Sequence, residues 1–139
     1  MRQIKVAGFS LLELLVVIAI LGMLATFAGP RYFAQLERSK AQIVRTQIEA
    51  MDKGVVQYRI DTGHYPPAAP GLVALFAPPP HEANWQGPYL HKYLPTDAWE
   101  HPYVYLLPGR DDREYEIISY GSDGQPGGQG DAADITNWQ

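Results

Sequence analysis

The sequence predicts an α+β protein: one long N-terminal α-helix carrying a head built on a small antiparallel β-sheet. Three observations predict it. Phe9–Ala28 is an apolar run of 20 residues broken by a single charge, Glu13. Val44, Ile48, Met51, Val55 and Tyr58 then recur at spacings of 4, 3, 4 and 3 residues, which is one helical face. Tyr103–Leu107 and Glu114–Ser119 are short segments rich in aromatic and β-branched residues, the composition of strands. The turn cluster Pro108-Gly109-Arg110-Asp111-Asp112 separates them, so they read as a hairpin.

Composition narrows the class. The chain has 139 residues, room for one domain of ordinary size. It is 46% apolar and 19% charged, too apolar for a disordered chain and too sparsely charged for a coiled-coil rod. There is no cysteine, which excludes disulfides, thiolate metal sites and cysteine nucleophiles. A net charge of -4 argues against a nucleic-acid partner. The charge is also polarised. Residues 1–60 hold eight Lys/Arg and four Asp/Glu, whereas residues 61–139 hold three and eleven, giving +4 and -8.

The elements follow in order. At ~1.5 Å per residue, the apolar run is long enough for the ~30 Å hydrocarbon core of a bilayer. A secretory signal is the competing reading, but its apolar region runs only ~7–15 residues. A plain signal anchor is the better alternative, and neither explains Glu13. A carboxylate inside a bilayer costs on the order of 2–3 kcal/mol and usually faces a partner. Positive charges flank both ends, Arg2 and Lys5 before the run and Arg31, Arg38, Lys40 and Arg45 after it, so charge alone does not orient it. Pro30 predicts a kink. The amphipathic period resumes beyond it, so the expectation is one helix over about residues 9–60, stopped by Asp61-Thr62-Gly63. Gly71–Phe76 reads as a short helix ended by Pro78-Pro79-Pro80.

The chain ends GSDGQPGGQGDAADITNWQ. Asp123, Asp131 and Asp134 stand there without a basic residue after Arg113. A solvated acidic tail is the bland alternative. Against it, Ile135 and Trp138 should pack, and the glycines permit sharp turns that point carbonyls inward. Carboxylates and carbonyls in a tight loop form a hard-oxygen site, which suits calcium. It is not an EF-hand, because Gln125 and Gly127 stand where acidic ligands belong. The four histidines, His64, His81, His91 and His101, show no helical metal spacing. No phosphate loop, nucleophile elbow or other catalytic constellation is present, so the reading is not an enzyme.

Gly8-Phe9-Ser10-Leu11-Leu12-Glu13 and the apolar run resemble the N-terminus of type IV pilins and type II secretion pseudopilins. The resemblance implies a leader at residues 1–8, cut by a prepilin peptidase between Gly8 and Phe9, with N-methylation of Phe9. Glu13 becomes the fifth residue of the mature chain, where the Phe9 ammonium of a neighbouring subunit can pair with it. Pairing offsets the desolvation of both charges and fixes axial register. Downstream, Thr62-Gly63-His64-Tyr65-Pro66, Gly71-Leu72-Val73-Ala74-Leu75, Trp85 and Gly87-Pro88-Tyr89-Leu90 follow in order. Leu94-Pro95-Thr96-Asp97-Ala98-Trp99 and Gly121-Ser122-Asp123-Gly124-Gln125 come after them. This order resembles the major pseudopilin family of type II secretion along nearly the whole chain. Ala98 departs from the family's usual Pro, and Glu100-His101 from its usual Gly-Asn.

The resemblance implies a type IV pilin-like fold. Residues 9–29 would form the transmembrane and filament-core helix, and residues 30–139 a periplasmic amphipathic helix with the α+β head. It implies a structural subunit of a periplasmic pseudopilus that drives protein export. Its partners would be further copies of itself in a helical homopolymer, minor pseudopilins, the prepilin peptidase, the inner-membrane secretion platform and the lipid bilayer, with no nucleic acid. It implies a single-pass inner-membrane protein with its head in the periplasm. It also implies calcium held by Asp123, Asp131 and Asp134 with backbone oxygens of Tyr120 and Gln125, although Ala132 replaces a frequent acidic residue. The alternatives are a type IV pilin, a minor pseudopilin, or a membrane-tethered periplasmic calcium-dependent binding protein or enzyme.

Overall fold

The computed structural model describes residues 8–91 and 96–139. A single helix, α1, runs Leu11–Thr62, 52 residues. Ser10 opens it. Its hydroxyl accepts a hydrogen bond from the Glu13 N–H (3.2 Å), and its carbonyl accepts one from the Leu14 N–H (3.2 Å). Ser-x-x-Glu is the spacing of a capping box, so the residues that mark the N-terminal motif also start the helix. Pro30 lies inside α1, and the helix continues through it without a break. The expected stop falls where the sequence places it, with the Gly63 N–H closing on the Arg59 carbonyl (2.8 Å). The helix thus starts and ends two residues later than expected.

The chain divides into two compact units, residues 1–36 and 37–139. In the second unit the predicted apolar face is the core. Val44, Ile48, Met51, Val55 and Tyr58 are all buried, together with Ala74, Leu75, Tyr115, Ile117 and Ile135. Gly54 lies on that face. A Cβ there would stand at ordinary contact distance, 3.4 Å, from Leu75 Cδ1, part of the 3₁₀ turn Gly71–Leu75 that packs against the helix. That turn replaces the short helix expected over Gly71–Phe76.

The sheet has three strands: β1 (Val104–Leu106), β2 (Glu116–Ser119) and β3 (Ile135–Thr136). Their order is β1-β2-β3, and both pairings are antiparallel. Tyr105 faces Ile117 across the predicted hairpin, and Ser119 faces Ile135 across the second pairing. Both predicted strands are present and shorter than expected. β3 was not expected. Central β2 is buried at all four residues, including Glu116 and Ser119.

Candidate functional site

Two regions carry the candidate residues. The first is the N-terminal half of α1. From Phe9 to Phe27 the large apolar side chains are uncovered on every side, from 42% exposed at Val17 to 86% at Leu11. This stretch is long and apolar enough to cross a membrane, and none of it is buried by the chain itself. Water does not tolerate such a surface, so lipid or other helices must cover it. The Glu13 carboxylate makes no hydrogen bond or ion pair with the described residues. Gly8 is exposed, with no heavy atom within 4 Å of where a Cβ would stand. The rest of the expected leader, Arg2 and Lys5 included, lies outside the described residues.

The second region is the loop Gly121–Asp134. It turns twice, at 3₁₀ turns Gly121–Asp123 and Gly130–Ala132. Gly121 has φ +65°, and a Cβ there would lie 2.9 Å from the carbonyl oxygens of Asp131 and Ala133. Only glycine fits both that backbone and that crowding. The three predicted acidic residues do different jobs. Asp123 accepts the Gln125 N–H (3.0 Å), capping its own turn. Asp134 accepts the Gly127 N–H (2.9 Å), and its other oxygen lies 3.8 Å from Arg110 Nη1. Asp131 makes no hydrogen bond or ion pair with the described residues. Among the described residues no three acidic or histidine side chains gather as a metal-binding group. The donor set nevertheless fits calcium in kind. It is oxygen only, Asp123 and Asp131 carry no cationic partner among the described residues, and backbone carbonyls crowd Gly121.

Two buried carboxylates hold this loop, and sequence reasoning missed both. Glu116 is fully buried in β2. Arg110 donates to both of its oxygens (2.8 and 2.9 Å), Arg113 adds a third bond (3.1 Å), and the Arg110 N–H a fourth (3.3 Å). The Arg110 hydrogen bonds hold Glu116 below the usual carboxylate range against the opposing effect of burial. Asp97 accepts from the Ser119 hydroxyl (2.6 Å) and from the N–H groups of Trp99 and His101 (both 2.9 Å). The His101 ring then reaches the Gly121 carbonyl through Nδ1 (3.0 Å). Trp138 is half exposed, yet its indole N–H donates to the Tyr115 carbonyl (2.8 Å). Asn137 donates to Asp52 (2.7 Å), as does the Tyr115 hydroxyl (2.6 Å). The signal for Glu116 was present: an acidic residue inside an apolar strand, with arginines three and six positions earlier.

A membrane-length helix with its apolar half uncovered, a lone carboxylate near its start, and a small three-stranded head define a pilin-like membrane-anchored protein. Residues 4–29 match the prokaryotic N-terminal methylation motif. Residues 31–138 match the family described as type II secretion system (T2SS), protein G. The chain belongs to that family of pseudopilins, which are structural subunits. It is similar to the type II secretion system core protein G of Vibrio cholerae, at 41% identity over 96% of this chain and 92% of the relative. The protein of the same name from Pseudomonas aeruginosa is 36% identical over 99% of both. Among solved structures, the major pseudopilin of the type 2 secretion system of enterohaemorrhagic Escherichia coli is similar, with a TM-score of 0.62 at 31% identity. That match covers 76% of this chain and 92% of the other.

Proposed function

We propose that this chain is the repeating subunit of a periplasmic pseudopilus that drives folded proteins out through an outer-membrane channel. The observation that carries this is the uncovered apolar half-helix with Glu13, which has no partner among the described residues. In a bundle of identical helices each subunit covers its neighbours, and each Glu13 gains a partner. Cleavage between Gly8 and Phe9 by a prepilin peptidase creates that partner, the Phe9 ammonium, and methylation of Phe9 follows. The head lies in the periplasm, and the helix enters the inner membrane before assembly. Minor pseudopilins and the inner-membrane secretion platform are the further partners.

Calcium at the C-terminal loop is part of the same reading. Asp123 and Asp131 would hold it with backbone oxygens of Tyr120 and Gln125. Asp134 would join them by exchanging the Gly127 N–H and already holds the loop closed. A bound cation would neutralise carboxylates that otherwise repel one another. Replacing residues 9–29 by an unrelated membrane anchor tests the reading. The head should remain folded and membrane-bound, whereas filaments and secretion should be lost. Continued secretion would instead favour a tethered binding protein or enzyme.

A further inference from the structure

The head and the helix of the second unit carry unbalanced charges that do not meet within one copy. Most charged side chains there are paired. Lys40 bonds Glu37, Lys53 bonds Glu49, Arg59 bonds Glu114, and Arg110 and Arg113 bond Glu116. In the second unit's part of α1, two exposed arginines, Arg38 and Arg45, have no ion pair or hydrogen bond among the described residues. With exposed Gln42 they stand at i, i+4 and i+7, a single row on one helix face. The two guanidinium stems rise roughly 10 Å apart along the helix, with Gln42 between them.

The complementary charge is at the tip of the β1–β2 hairpin. Asp111 and Asp112 are both exposed and have no ion pair among the described residues. Both sit in the left-handed region, φ 54° and 60°. The tip is closed by the Gly109 N–H to the Arg113 carbonyl (3.0 Å) and the Arg113 N–H to the Arg110 carbonyl (3.2 Å). The two neighbouring arginines fold inward onto Glu116, so among the described residues nothing compensates the tip carboxylates. A hydrogen-bonded tip thus presents adjacent negative charges on a narrow turn.

We propose that the Asp111-Asp112 tip of one copy docks on the Arg38–Gln42–Arg45 row of another, an ionic head-to-helix contact in addition to packing of the apolar helices. Two arginines two turns apart can converge on a carboxylate pair set between them. Each copy supplies both halves, so a head-to-tail array neutralises both sets and continues without closing. Glu100 is a lone exposed carboxylate and Asp131 belongs to the proposed calcium loop, so neither matches the row as the tip does. Electrostatic complementarity of this kind fixes register and excludes wrong alignments more than it adds raw affinity.

The contact rests on the pseudopilus reading, and the test separates the two. The chain has no cysteine, so introduced thiols report unambiguously. Full-length Gln42→Cys and Asp111→Cys chains, which keep both arginines and Asp112, are co-produced in cells able to assemble the filament and treated with a short bismaleimide. A separate Leu24→Cys chain reports helix-to-helix proximity. A strong 42–111 cross-link between copies is expected. Arg38→Glu with Arg45→Glu, or Asp112→Arg alone, should lower its yield at least fivefold, and combining the reversals should restore at least half of it. If position 24 cross-links but 42 and 111 never do, the docking is wrong and the filament stands. If position 24 fails as well, the filament reading falls and takes the docking with it. Unchanged yield in the reversals, or no restoration on combining them, refutes the ionic pairing.

Discussion

Replacing Arg110 by Met should cost the head a large part of its stability. The substitution keeps most of the aliphatic stem and removes the guanidinium. Glu116, fully buried, then loses two short charge-assisted bonds and retains only Arg113 and the backbone N–H of residue 110. Stranding a buried charge typically costs ~3–5 kcal/mol. The surviving partners place this case at the lower end, ~3 kcal/mol, against a total stability of ~5–15 kcal/mol. The 3.8 Å approach of Arg110 to Asp134 adds little, because half-exposed pairs are worth ~0–1 kcal/mol. For a domain near 100 residues this corresponds to a fall of roughly 12–20 °C in melting temperature. Near-ultraviolet circular dichroism of the full chain in detergent reads it, since Tyr115 and Trp138 pack beside the network. The sign of the pH dependence is fixed as well. Glu116 is held below its ordinary value, so its contribution is complete above the unfolded value of ~4.3 and is lost as pH falls through the lower folded value. The parent should therefore outmelt Glu116→Gln at pH 7, and the gap should close on acidification below ~4. A melt of Arg110→Met within ~3 °C of the parent would refute the reasoning, as would a gap to Glu116→Gln that does not narrow as pH falls below ~4.

Intact-mass analysis of the membrane-extracted protein should show a chain beginning at methylated Phe9, and Gly8→Leu should accumulate as the uncut precursor; an N-terminus near Gly29 would contradict this. Glu13→Ala should insert and be cleaved, yet form no filaments by electron microscopy, because the Phe9 ammonium loses its partner; normal filaments would contradict the pairing. Calcium at ~100 times its dissociation constant should add ~2.7 kcal/mol, read as a higher melting temperature than in chelator, with magnesium unable to replace it. Asp123→Ala should melt low and gain little from calcium, and identical parent melts in all three conditions would leave the loop as an acidic turn. Glu100→Gly should raise the melting temperature by a few degrees, since a non-glycine residue at φ 69° costs ~1–2 kcal/mol and glycine's extra unfolded-state entropy returns ~0.5–1 kcal/mol; a lower melt would overturn that.

The helix and its core face were legible because both rest on local periodicity. Five residues at helical spacing predicted the packed face, and all five are buried. The hairpin was legible because its turn chemistry lies between two strand-like segments. β3 was not, because two residues carry no period and Ile135 pairs with Ser119 only after the loop has closed. Glu116 was hidden for a related reason. A carboxylate in a short strand reads as the solvent-facing position, whereas β2 is central and covered on both sides. In the acidic loop the sequence grouped Asp123, Asp131 and Asp134 by type. Their separation into turn cap, unpaired carboxylate and loop anchor depends on Gly127 and Arg110, partners that no local pattern names.

The turn at Asp97–His101 shows how a fold outlasts its usual residues. Ala98, Glu100 and His101 depart from the residues that the resemblance to major pseudopilins leads one to expect, and Glu100 adopts the left-handed backbone that glycine would favour. The turn forms regardless, because its geometry is set by Asp97. One carboxylate oxygen receives the Trp99 and His101 N–H groups and the other receives Ser119, while the Asp97 N–H closes on the His101 carbonyl (2.8 Å). Four bonds converging on one buried residue outweigh the strain at a single exposed position. The substituted His101 then gains a contact of its own, on the Gly121 carbonyl at the start of the acidic loop. The departures therefore leave the turn standing, and they tie it to the loop where calcium is proposed.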